Sequence, residues 1–249
     1  MDNKILIGCD PELFVYDAQG RPVSAFDLIE GSKVCPKPVP NGAIQRDGVA
    51  AEFNIKPADN VNDFIYRIRS VRSSLLEEIH KTDRGYVLKA NPTIKFTRKQ
   101  WNSISEDAKM LGCEPDFSAY TPTKPNERPI TDKFMRTGAG HIHISWGETV
   151  NDFMAPLYRT KVASLIWHLD KHLYKESLKW DKDKERQELY GQAGAFRPKP
   201  YGVEYRTLSN AWLNSEDTMK FVFNTAKACT MNWLNGTKVK DYDLPAYRM

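Results

Sequence analysis

Val203-Glu204-Tyr205-Arg206-Thr207-Leu208 is a short β-rich run that sets a carboxylate and a guanidinium two residues apart. Side chains at i and i+2 of a strand share a face, so Glu204 and Arg206 point one way and Tyr205 the other. The same spacing recurs in three more β-rich runs. Asp10 and Glu12 lie in residues 4–16, Glu52 and Asn54 in 49–55, and His141 and His143 in 141–146. The residues between them, Pro11, Phe53 and Ile142, then face a core beneath helices. Four such strands side by side make a sheet with an apolar back and a front of carboxylates, imidazoles and a guanidinium.

Working outward, residues 4–16 are expected to form one strand, an arm of a hairpin closing at Ala18-Gln19-Gly20, and residues 86–89 a further strand. A helical stripe runs from Val61 through Phe64, Ile65, Ile68, Val71, Leu75 and Ile79. A second helix is expected over residues 151–174. A third follows Ser215, a good N-cap with Glu216 and Asp217 in the first turn, and stops at Gly236. Three proline-rich stretches with interspersed cations, residues 34–42, 120–133 and 196–202, read as stiff loops. They are either surface connections or holders of cations over a phosphate. No linker divides the chain, so a single domain spanning residues 1–249 is expected.

Composition narrows the class. The 249 residues are 41% hydrophobic and 27% charged, with 36 Lys and Arg against 32 Asp and Glu. A net charge of +4 is too small and scattered to call for nucleic acid. The four cysteines, Cys9, Cys35, Cys113 and Cys229, form no CxxC pair and read as reduced thiols. The first residues carry too short an apolar run for a signal peptide, and no stretch reaches the ~20 apolar residues of a membrane span. A soluble protein of the cytoplasm is expected, the host cytoplasm if the chain is phage-encoded.

Four carboxylates, Asp10, Glu12, Glu52 and Glu204, outnumber the two histidines of the expected front face, His141 and His143. An oxygen-rich set suits magnesium or manganese, which share their shell with substrate phosphates. Arg206 beside Glu204 reads as a phosphate or transition-state clamp, or else as half of a structural ion pair. His168 and His172 stand one helical turn apart but lack the glutamate of a zinc-protease helix, and packing is the favoured reading for them. Two alternatives stay open: a zinc-dependent metallohydrolase, and a non-catalytic metabolite-binding phage protein.

Gly8-Cys9-Asp10-Pro11-Glu12-Leu13, Asp47-Gly48-Val49-Ala50-Ala51-Glu52-Phe53-Asn54, Gly138-Ala139-Gly140-His141-Ile142-His143-Ile144 and the long block from Gly191 to Asn210 resemble one family. It is that of the phage-type, phiEco32-like carboxylate–amine ligases (amidoligases), distant relatives of glutamine synthetase and glutamate–cysteine ligase. The resemblance implies an α+β fold with a curved, mainly antiparallel glutamine-synthetase-like sheet and helices on its convex face. It implies ATP and two or three magnesium ions, with manganese as a substitute, in the concave face. It implies Asp10, Glu12, Glu52, His141 and Glu204 as metal ligands and Arg206 as the catalytic arginine, while which of His141 and His143 turns inward stays open. Nucleotide contacts are expected from His143, Arg206, Lys33, Lys37, Arg136, Arg197 and Lys199. A general base is expected among Asp47, Glu114 and Asp116. The implied reaction joins a small-molecule or peptide carboxylate to an amine through an acyl phosphate, with neither membrane nor nucleic acid as partner.

Overall fold

The computed structural model describes residues 4–110, 116–127 and 132–239. Its strands form two large antiparallel sheets. In the first, β1 (Leu6–Cys9), β12 (Ile142–Ser145), β14 (Gly202–Tyr205), β13 (Ala195–Lys199), β9 (Phe117–Ser118) and β10 (Thr121–Pro125) lie side by side in that order. The second runs β3 (Pro22–Val23), β2 (Glu12–Tyr16), β6 (Ala50–Ile55), β5 (Gly42–Asp47) and β4 (Lys37–Val39), and β7 (Val87–Lys89) also pairs with β2. A small ribbon joins β8 (Thr93–Lys95) to β11 (Met135–Thr137). The fold class is α+β with a strongly curled sheet, as expected from the sequence.

The arm expected over residues 4–16 is two strands, broken at Asp10-Pro11 where the chain passes from the first sheet to the second. Proline has no N–H to give a ladder. The neighbouring amides bridge the gap: Asp10 N–H donates to the His141 carbonyl at 3.4 Å and Glu12 N–H to that of Ala139 at 2.9 Å. On the other side Phe53 N–H donates to the Pro11 carbonyl at 3.3 Å. Asp10 and Glu12 are thereby pinned at the crease between the sheets.

Three long helices cover the face away from the crease. Helix α1 (Val61–Ile79) is capped by Asn60, whose side chain accepts from Asp63 N–H. Helix α7 (Glu216–Leu234) is capped by Ser215, as the sequence suggested. Helix α4 (Pro156–Leu169) starts five residues later than residue 151, with Pro156 in its first turn, where the missing N–H costs nothing. It runs into a π-helical turn at Asp170–Tyr174. Short helices α2 (Arg98–Ser103), α3 (Glu106–Lys109), α5 (Lys175–Ser177) and α6 (Lys184–Leu189) complete the chain. Ile142, Phe53 and Tyr205, the residues between the polar pairs, are fully buried in one core with Phe64, Leu165 and Phe223 of these helices.

Each proline-rich stretch contains a strand among its described residues. Residues 37–39, 121–125 and 195–199 are strands, two of them at sheet edges where an absent N–H leaves no gap in a ladder. In β13, Pro198 lies beyond the end of β9, which pairs only with Ala195 and Phe196.

Candidate active site

Register builds the front face. Across the first sheet Gly8, His143, Glu204 and Arg197 are direct neighbours on β1, β12, β14 and β13. Across the second, Glu12, Glu52 and Gln45 form a matching row on β2, β6 and β5. The crease brings Glu204 and Arg197 of the first row and Glu12, Glu52 and Gln45 of the second to one cleft of about 260 Å³, whose walls also include Asp10, His141 and Arg206.

Local structure positions the parts. His141 follows Gly138-Ala139-Gly140, and a Cβ on Gly140 would stand 2.2 Å from the Ser209 carbonyl oxygen. Only glycine lets the chain press against residue 209 there. Arg186, fully buried, donates to the carbonyls of Gly138, Thr207 and Leu208 at 3.0, 2.9 and 2.7 Å. It ties the glycine lead-in to the end of β14. Burial pushes its guanidinium down to about 10. Asn210 donates to the Glu12 carbonyl at 2.7 Å.

Glu204 is 1% exposed and carries three cations. Arg197 approaches it at 3.1 Å, Lys199 at 3.1 Å, and Arg206 in a tight pair. Burial opposes ionisation of Glu204, but Arg206 and the neighbouring imidazoles outweigh it and hold the carboxyl well below its usual range. His141 Nδ1 lies 3.3 Å from Glu204 and 3.5 Å from Asp10. Burial, then Arg206, lowers the His141 imidazole to about 4, so it is neutral and able to bind a cation. Asp10, His141 and Glu204 offer ligand atoms within 4.8 Å of one another. Asp10 is also buried, yet His143 and His141 keep it well below the usual carboxylate range.

The two other carboxylates go the opposite way. Burial, then Asp47, raises Glu12 to about 7, even though Ala139 N–H donates to its Oε2 at 2.9 Å. Burial, then Asp10, pushes Glu52 well above the normal value, although Gln45 donates to it at 2.7 Å. Acids held against ionisation beside one another mark a place where a cation relieves repulsion.

Among the other expected site residues, Lys33, Asp47, Asp116, Arg136, Arg197 and Lys199 line the same cleft. Lys33 Nζ lies 3.4 Å from Asp47. Asp116 accepts from Arg206 Nε at 3.1 Å. Arg136 stacks on Trp101 with its guanidinium carbon 4.4 Å from the ring centre and donates to backbone carbonyls. Two residues fall elsewhere. Lys37 does not reach the cleft: it pairs with Glu78 at 2.9 Å and Glu30 at 2.7 Å, because β4 is the far edge of its sheet. His143 contacts Asp10 at 2.9 Å and Tyr201 from a second cavity beside the cleft. Both histidines contact Asp10, but it is His141 that lines the cleft. Glu114 lies outside the described residues. His168 is a packing residue, its Nε2 2.9 Å from the Thr237 carbonyl.

Sequence reading missed Gln45, Arg186 and Asn210. Gln45 shares a strand face with Asp47, a signal of the kind used for the other pairs. Arg186 sits in the Lys- and Glu-rich run 182–188, where nothing separates it from a solvated helix face.

Fold and cleft together define an α+β protein whose curled antiparallel sheet opposes a cluster of acids to a cluster of cations. Residues 137–245 match the phage phiEco32-like COOH.NH2 ligase-type 2 family, the one that the motifs resemble. The matched segment carries His141, Arg197, Lys199, Glu204 and Arg206, and the match supports a carboxylate–amine ligase. A search of the curated proteins finds no match. No helix among the described residues is long and apolar enough to cross a membrane.

Proposed function

We propose that the chain is a single-domain, ATP-dependent ligase that joins a carboxylate to an amine through an acyl phosphate. The observation that carries this reading is Glu204, nearly inaccessible, beneath three cations and next to a neutral imidazole in an acid-lined cleft. A structural ion pair needs one cation; a site for a polyphosphate with its divalent ions needs both signs at close quarters.

The donor set fits a hard divalent cation. Asp10, His141 and Glu204 would hold one magnesium or manganese ion, and Glu12 with Glu52 a second. Such ions neutralise the phosphates and the charge that develops during transfer. Arg197, Lys199 and Arg206 would meet the phosphate oxygens, with Lys33 and Arg136 at the other end of the cleft. The substrate carboxylate attacks the γ-phosphorus, and ADP leaves with the bridging oxygen. An ammonium group gives one proton to a carboxylate, Asp47 or Asp116 of the cleft wall, and its nitrogen attacks the acyl carbon. Phosphate departs, a second proton is lost, and an amide remains. Arg206, between Glu204 and Asp116, is the group placed to follow the charge as it moves from nucleotide to acyl phosphate.

Thermal unfolding with a non-hydrolysable ATP analogue tests this. At about 100 times the dissociation constant the gain is roughly 2.7 kcal/mol, which for this size is about 5–10 °C. The shift is expected with magnesium and absent in EDTA. No shift at any nucleotide concentration would remove the ligase reading.

A further inference from the structure

Behind the wall formed by Asp10, Gln45 and Glu52 lies a second cavity of about 490 Å³. The two cavities share those three residues and differ in everything else. The cleft is walled by Lys33, Arg136, Arg186, Arg197, Lys199 and Arg206. Not one lysine or arginine is among the described residues lining the second chamber. Its floor is apolar, built from Leu6, Cys9, Ile55 and Pro57, and its uncharged polar groups are Asn54, Ser145 and Tyr201. The one basic ring, His143, is already engaged by Asp10 and Tyr201.

We infer that this chamber is the seat of the amine substrate, and that the amine is a primary amine with an uncharged, largely apolar body. The inference rests on the ligase reading and gives it a substrate class. Charge complementarity selects the occupant. An ammonium group finds acceptor oxygens at and beside the shared wall, on Asp10, Gln45, Glu52 and Asn54, while the apolar floor takes its carbon chain. An amino acid would bring its own carboxylate into a chamber whose one basic ring among the described residues, His143, is already engaged by Asp10 and Tyr201. A phosphate or nucleotide has its cations on the other side of the wall. The wall is also where the reactants must meet, since Gln45 looks into both cavities and Asp47 follows two residues later on the same face of β5.

Gly8 supplies the test. It sits opposite His143 on β1, and a Cβ there would stand 3.6 Å from the Cβ atoms of His143 and Pro57, ordinary contact distances. The nearest backbone atom to that Cβ is the Ile55 carbonyl oxygen at 3.8 Å, so Gly8→Ala fits and narrows the chamber from below. Ser145→Leu, two positions further along β12 from His143, fills it independently.

The experiment is saturation-transfer NMR on the full chain with three probes, n-pentylamine, pentanoate and norleucine, followed by titration of those that bind. The nucleotide-dependent thermal shift is measured on the same samples. Pentylamine is expected to bind while the two carboxylate-bearing probes do not. Either variant should weaken pentylamine by about tenfold or more, with the magnesium–nucleotide shift retained. Equal binding of norleucine or pentanoate would overturn the assignment. So would pentylamine binding that neither variant affects. Loss of the nucleotide shift in both variants, with pentylamine undisturbed, would give the chamber to the nucleoside and overturn it too. Should the native chain bind pentylamine as described yet show no nucleotide shift, the chamber stands and the ligase reading falls.

Discussion

Strand β14 carries two nearly inaccessible carboxylate environments back to back, and they are held in opposite states. On its front Glu204 meets Arg197, Lys199 and Arg206, which keep it ionised. On its back Tyr205 donates to Asp170 at 2.7 Å, and Tyr120 donates to the same carboxyl at 2.9 Å. With phenols and the Gly194 N–H as its partners among the described residues, burial raises Asp170 to about 7. One residue of strand therefore separates a carboxylate crowded by cations at an open cleft from an acid sealed into a scaffold. Burial is common to both; the excess of cations and the open cleft belong to the front alone. Depth does not mark a working carboxylate, whereas surplus charge of the other sign beside a cavity does.

The sharpest way to break that contrast is Glu204→Gln. Under the proposed function, ADP release with acid and amine substrates should fall by roughly a thousandfold, the scale at which one electrostatic group is lost from such a site. Cooperative unfolding should survive, since glutamine keeps the shape. Near-native turnover would show that the cations on Glu204 are merely structural and that front and back of the strand do not differ in kind.

Asp170→Asn sharpens the other side. The native carboxyl has its value raised from 3.8 to about 7, so the fold favours the protonated form. That contribution is whole at low pH and is lost as pH rises from about 4 to about 7. A shift of this size in a sealed group corresponds to on the order of 4 kcal/mol. The groups facing Asp170 are the phenols of Tyr205, Tyr120 and Tyr174. Urea unfolding at pH 5 and pH 8 should show the native chain weakening more than the asparagine variant across that interval. Parallel pH profiles would mean that Asp170 is ionised throughout and that the two carboxylates are alike.

How far these states could be read beforehand depends on the range of the interaction. Helices α1 and α7 were legible because periodicity and caps are local: Asn60 and Ser215 sit beside the turns they close. The alternating pairs were legible for the same reason, and register then carried Glu52, His141, Glu204 and Arg206 to one cleft. The break at Pro11 was less visible, because residues 4–9 and 12–16 each read as strand and only their different partners separate them. Asp170 gave little local sign; the two phenols that donate to it come from positions 35 and 50 residues away. Lys37-Pro38 and Lys199-Pro200 are alike as sequence, and both were expected at the phosphates. Lys199 lies beside β14, which bears Glu204, while Lys37 lies on an edge strand beside Glu78.

That last pair supplies the mildest test. Glu78 is buried on α1 and is approached by Lys37 at 2.9 Å and Lys81 at 2.7 Å, with Glu30 completing a cluster of two lysines and two acids. Its partners keep the Glu78 carboxyl below the ordinary value despite burial. The signs balance, and none of the four residues lines the cleft or the second chamber. Lys37→Met should therefore lower the melting temperature by less than about 4 °C, the scale of a partly exposed ion pair with a second lysine still in place. It should leave the magnesium–nucleotide shift as in the native chain. Lys199→Met, one cation of three on Glu204, should reduce that shift under the same conditions. If the two lysine variants lose the nucleotide shift equally, balance of charge is not what divides a structural cluster from a working one. The contrast drawn across β14 would then have to rest on the cavity alone.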